Sequence, residues 1–188
     1  MNYFWVHSYD NASLADLLKV MGIKKSSFYR TFKSKEELFS LTLDLYIKEL
    51  FQSINTLKNQ NGVRNTLIAL VKATISDLNN LVNVGNIALP ANVDSAKGCL
   101  LTNSGIECFG KYPNLSQKIS SQYDVFMEFF THLIEEGKNN KEIRNSLDSK
   151  AITRRYLSIF NGLVVLLQVG VEDEVIDEIL LSIEELLE

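Results

Sequence analysis

MGIKKSSFYRTFKSKEELF, residues Met21 to Phe39, gathers cations that the rest of the chain does not. From Lys19 to Lys35 there are six basic residues and no acidic one, although the 188-residue chain carries a formal charge of -4. Phe28 and Phe32 stand four apart, so on a helix they share one face, with Ile23 close behind. Packing that face inward turns Lys25, Ser26, Ser27, Tyr29, Arg30 and Lys33 toward solvent. The mixture suits a duplex: Lys and Arg neutralise phosphates, while Ser, Tyr and Arg hydrogen-bond to backbone or base edges.

Upstream, Ser13-Leu-Ala-Asp16 has the form of a capping box. It opens a short helix to about residue 20, with Leu14, Leu17 and Leu18 on its inner side. Gly22 permits the left-handed turn of a sharp corner, and a second short helix is expected over residues 24–32. Two short helices joined in this way describe a helix-turn-helix. Downstream, Ser34-Lys-Glu-Glu37 is another capping box, starting a long helix to roughly residue 56. Lys35 falls in its first turn, where the helix dipole disfavours a cation. An anion bound on the free N–H groups there would account for it.

Two prolines and nine glycines punctuate the chain, and apolar residues recur at helical rather than alternating spacing. The expected class is all-α. Further helices fit residues 63–83, 96–109, 113–137, 148–169 and 173–187, with 84–95 as the longest loop. A small domain, 1–46, and a larger one, 47–188, are expected to share a helix at their boundary.

Composition bounds the function. With 46% hydrophobic and 22% charged residues the chain reads as a globular protein. No stretch reaches the roughly 18 apolar residues of a membrane span; GLVVLLQVGV, residues 162–171, is short and contains Gln168. MNYFWVHSYD at the start has no basic region or small-residue cleavage site, so no signal peptide, no membrane and a cytoplasmic location are expected. Two cysteines are too few for a disulfide scaffold. Residues 1–50 hold seven Lys/Arg against six Asp/Glu, and residues 51–188 twelve against seventeen. That division allows one local basic face and argues against nonspecific coating of nucleic acid.

The run Gly22-Ile-Lys-Lys-Ser-Ser-Phe-Tyr-Arg-Thr-Phe-Lys-Ser-Lys-Glu-Glu-Leu38 resembles the recognition-helix signature of the tetracycline-repressor (TetR/AcrR) family of bacterial transcriptional regulators. Phe4-Trp5, Tyr9, Ser13 and Leu14 are similar to that family's approach to the first turn. Lys97-Gly-Cys-Leu-Leu101 and Arg155-Tyr-Leu-Ser-Ile-Phe-Asn-Gly-Leu163 are similar to one group of these regulators. The resemblance implies that Ser13 and Tyr29 bind phosphate, joined by Lys35 from the following helix. It implies that Lys25, Ser26 and Ser27 face the major groove, and that Phe28, Phe32 and Leu38 are core. Three positions depart from the pattern: Thr31 stands for a usual His, Lys24 for a usual capping Ser or Thr, and Ser8 for a usual turn Gly. Of the family's first helix only residues 1–7 remain, about ten fewer than usual; the expectation is either a start codon further upstream or a small domain less stable than its relatives.

Residues 148–169 are apolar nearly all round from Tyr156 onward, so this helix must be covered on more than one side. The final helix carries a cleaner stripe of Val175, Ile176, Ile179, Leu180, Ile183, Leu186 and Leu187. Core packing inside one subunit is the plainer reading; because both helices are long and terminal, a homodimer with a four-helix interface is expected, which the resemblance also implies. Such a dimer presents two recognition helices to a near-palindromic double-stranded DNA operator.

The middle helices carry Phe109, Tyr123, Phe126, Met127 and Phe130, followed later by Phe160. Aromatics at helical spacing read first as core. The resemblance implies a small-molecule inducer among them, in a mostly apolar pocket with Asn161, Asn103, His132 and Gln168 as polar contacts. An inducer would act by favouring a dimer geometry that misplaces the reading heads.

Cys99 and Cys108 stand nine apart, about 13.5 Å of rise on one helix. That is too far for a disulfide, whose Cα atoms lie within about 7 Å. Cys99, near a helix start and beside Lys97, is a candidate oxidant or electrophile sensor; a small buried residue is the plainer reading. His7 and His132 have no ligand-spaced companions, so no metal is expected. No cofactor motif or catalytic constellation is found, and no enzyme activity is expected. The sequence therefore reads as a ligand-responsive DNA-binding regulator, a repressor. The competing reading is a helical dimer that binds a small molecule or partner with impaired DNA binding.

Overall fold

The computed structural model describes residues 1–78, 98–144 and 146–188. Every regular element among them is helical: α1 (Asn2–Asn11), α2 (Leu14–Met21), α3 (Lys25–Thr31), α4 (Lys35–Asn61), α5 (Val63–Leu78), α6 (Leu100–Cys108), α7 (Pro113–Asn139), α8 (Ser149–Val169) and α9 (Asp173–Leu186). The chain is all-α, with an N-terminal helix-turn-helix domain and a C-terminal helical domain. The expected loop at 84–95 lies outside the described residues.

Side-chain caps close the starts of α2, α4 and α8. Ser34 Oγ accepts from Glu37 N–H at 3.0 Å, and Asp148 Oδ1 from Ala151 N–H at 2.8 Å, satisfying N–H groups that a helix start leaves free. Pro113 occupies the first turn of α7, where its missing N–H costs nothing.

Two bounds differ from expectation. Helix α4 does not end near residue 56 but continues to Asn61, because nothing breaks it before Gly62. Helix α6 begins at Leu100, not at 96. Gly98 has φ +69, so the chain turns left-handed there and the helix starts beyond it. A Cβ on Gly98 would also lie 2.3 Å from Val164 Cγ1.

One core runs through both domains. In the head, Phe4 meets Phe39 at 4.8 Å between ring centroids and Trp5 meets Tyr46 at 5.1 Å. In the body, the Tyr156 hydroxyl of α8 donates to Leu67 O of α5 at 2.8 Å. Ion pairs Lys118–Asp44 at 2.6 Å and Lys58–Glu136 at 2.7 Å tie α7 to α4 along its length. The expected boundary at 46/47 falls inside α4.

Helix α1 is bent. Ser8 sits at φ 67, ψ 173, a region that glycine occupies freely and other residues enter at about 1–3 kcal/mol. This is the position where the sequence pattern favours Gly. Ser8→Gly is therefore expected to raise unfolding stability by about 1–3 kcal/mol, read as a shift in the urea midpoint at constant m-value. Against this gain, the substitution gives up an exposed 3.3 Å hydrogen bond from Asn11 Nδ2 to Ser8 Oγ.

Candidate nucleic-acid interface

The reading head is built from two caps and one buried ring. Ser13 Oγ accepts from Asp16 N–H at 3.1 Å and donates to Asp16 Oδ2 at 2.5 Å, which closes the start of α2. At its end Gly22 has φ 64, ψ 27, and Ile23 N–H reaches back to Leu18 O at 3.2 Å, the paired closure of a left-handed helix end. The chain is thereby aimed into α3. Phe28 is wholly buried, in ring contact with Phe32 and Tyr29, each at 5.4 Å.

That burial fixes the other flank of α3 outward. Lys24, Lys25, Ser26, Arg30 and Lys33 are exposed, Tyr29 is 46% exposed, and Ser27 is half-buried. No ion pair found among the described residues uses Lys24, Lys25, Arg30 or Lys33. Cations left without carboxylates on one short helix form a positive face. Lys24 occupies the N-cap of α3 without a side-chain cap bond. Thr31 spends its hydroxyl on Ser27 O at 3.1 Å.

Lys35 has internal partners. Its Nζ donates to Tyr9 O at 2.9 Å and Ala12 O at 3.2 Å, and lies 4.2 Å from the Tyr9 ring centroid. The cation in the first turn of α4 thus caps the carbonyl end of α1, so its position is accounted for without a bound anion. Lys35→Met is expected to destabilise the head by about 1.5–3 kcal/mol through lost charged hydrogen bonds, measured by thermal melting of the head's aromatic signals.

In the body, ring contacts link Tyr123, Phe126, Phe130, Tyr156 and Phe160 in succession, and Met127 packs partly buried against the core. Asn161 Nδ2 donates to the Tyr123 hydroxyl at 3.0 Å, while its Oδ1 accepts from Thr102 at 3.2 Å. Phe109 does not join them. It follows the last turn of α6 with extended backbone, φ -59 and ψ 126, and is 81% exposed. His132 is also outside the cluster, exposed beside Glu135 and Glu128.

The two cysteines differ. Cys108 is fully buried and its thiol is pushed up to about 11, chiefly by burial and then by Glu107 and Asp10. Cys99 is the half-buried N-cap of α6, and its Sγ accepts from the Tyr46 hydroxyl at 3.4 Å.

The sequence reading missed how head and body are joined. Trp5 Nε1 donates to Gly98 O at 2.9 Å. The Glu107 carboxylate of α6 accepts from Tyr9 N–H at 3.0 Å and Asp10 N–H at 2.7 Å, the two N–H groups freed by the bend at Ser8. The Tyr112 hydroxyl and the Lys111 ammonium both bind Asp10 and hold its carboxyl below the usual range.

Two family models match this chain. Residues 1–41 match the bacterial regulatory proteins of the tetR family, and residues 74–182 match the tetracyclin repressor-like C-terminal domain. The chain belongs to the TetR family. Among curated proteins, this TetR-family regulator is 26% identical over 155 residues to the uncharacterized HTH-type transcriptional regulator YezE of Bacillus subtilis, covering 82% of this chain and 74% of YezE. Its fold is that of a TetR-family transcriptional regulator from Cytophaga hutchinsonii, with a TM-score of 0.76 at 22% identity over 99% of this chain and 88% of that one. It is also similar to a cysteine mutant of the TetR-family regulator CifR complexed with 26-bp operator DNA, with a TM-score of 0.72 and 21% identity, covering 99% and 90%. TetR-family regulators are DNA-binding proteins, not enzymes. Among the described residues no helix is long and apolar enough to cross a membrane.

Proposed function

We propose that this regulator represses transcription by binding a near-palindromic operator as a homodimer, and that a small apolar or aromatic inducer releases it. The observation that carries the reading is the exposed, carboxylate-free cationic flank of α3 above the buried Phe28. A homodimer is supported by apolar side chains left open on α8 and α9: Val165 is 52% exposed, Val169 70% and Leu181 55%. Two-fold pairing of these helices covers them and sets two copies of α3 side by side. The inducer is assigned to the cluster of Tyr123, Phe126, Met127, Phe130, Phe160 and Asn161.

The test is fluorescence anisotropy of a labelled duplex taken from upstream of the gene, titrated across salt concentrations. Expected is tight binding whose logarithm falls against log salt with a slope of about -5 to -9, as for roughly six to ten phosphates. Equal affinity for a scrambled duplex, or a flat salt response, would overturn the proposal.

A further inference from the structure

A cleft of about 500 Å³ opens where the head meets the body. Trp5 and Tyr9 of α1 line one side, and Asn103, Ser104 and Glu107 of α6 the other. None of the aromatic cluster assigned to the inducer lines it. The volume is that of a site for a small organic molecule.

The charges in it are unequal. Lys111 and Asp10, both in the lining, neutralise each other across 3.2 Å. That leaves Glu107 as the net charge. Each of its oxygens takes one backbone N–H, from Tyr9 or from Asp10, and each keeps a lone pair for a further donor. Helix α6 ends at Cys108, next to Glu107, and α8 ends at Val169, next to the lining residue Gln168. Both helix ends add partial negative charge. The lining also includes the rings of Trp5 and Phe4, both largely buried.

We infer that the cleft between α1 and α6 binds a small organic cation, with its charged end on Glu107 and its flat or apolar part against Trp5. Such a ligand touches both domains and draws on the carboxylate that holds Tyr9 and Asp10, so it acts on how the head is seated. This site stands apart from the inducer site proposed above and does not depend on it.

Trp5 is the chain's single tryptophan, and it lies in the lining, so its emission reports occupancy in the full-length protein without DNA. The probe is benzamidine, with benzamide as its neutral counterpart. Expected is a saturable change in Trp5 emission with benzamidine, with benzamide about tenfold weaker or more, the difference a charged hydrogen bond makes. Glu107→Gln, which keeps the shape and removes the charge, is expected to weaken benzamidine by a similar factor. Phe160→Ala, in the aromatic cluster, is expected to leave it unchanged. Gln168→Phe, at an exposed lining position, supplies a second blocking variant should Glu107→Gln not fold. Equal binding of benzamide and benzamidine, unaltered benzamidine affinity in both Glu107→Gln and Gln168→Phe, or no saturable change would each overturn the inference.

Discussion

Phe28→Ala is expected to remove about 3–5 kcal/mol of stability, the usual cost of truncating a fully buried phenylalanine. That is a large share of the roughly 5–15 kcal/mol that holds a domain folded. The side chain has no exposure, and the rings of Phe32 and Tyr29 lie against it. Short helices such as α3 have little stability of their own, so losing this anchor frees the helix from the head. Chemical denaturation should show an early transition in the head, and operator binding should vanish at concentrations that saturate the wild type. Phe28→Leu, which nearly conserves volume, is expected to cost less than about 1.5 kcal/mol and to keep binding. Wild-type affinity in the alanine variant would show that α3 is held by something other than this ring.

The second large effect concerns charge. In the proposed dimer, replacing Lys25, Arg30 and Lys33 together by alanine takes six cations from the paired heads. At about 0.9 per neutralised phosphate, the salt slope should flatten by about 5. Between 50 and 200 mM salt the wild type should then lose about 10³-fold more affinity than the variant. Stability should change little, because these side chains are exposed and none of the ion pairs found involves them. Circular dichroism on the same samples separates the two outcomes: lost binding with an unchanged melt assigns the effect to phosphate contacts. An unchanged salt slope would remove α3 from the interface.

Local grammar explains why the reading head was legible in sequence. Ser13 and Ser34 each cap a helix through a residue three positions on, Gly22 turns the chain where a turn is needed, and Phe28 with Phe32 marks the inner face of α3. Interactions across long stretches of chain carried no such signal. Glu107 meets Asp10 from 97 positions away, and nothing near either residue announces the pair. Lys35 looked like an anion ligand because its own helix gives it no reason to be there; the reason lies in the carbonyls of Tyr9 and Ala12. Phe109 fitted a helical stripe, but α6 ends one residue before it and the backbone carries it out into solvent. Ser8 was visible as a departure from a Gly pattern, while its strained backbone angles required coordinates.

The length of α4 has a mechanical consequence. Its 27 residues run without glycine or proline from the head's core into the body, a rod about 40 Å long at 1.5 Å per residue. With no joint to absorb motion, a tilt of about 5° at one end displaces the other by about 3.5 Å, close to the roughly 3.4 Å between successive base pairs. In the proposed dimer, two such levers turned in opposite senses would put the paired heads out of step with a fixed stretch of duplex. Modest rearrangement far from the DNA is thereby magnified into a misfit of a full base-pair step.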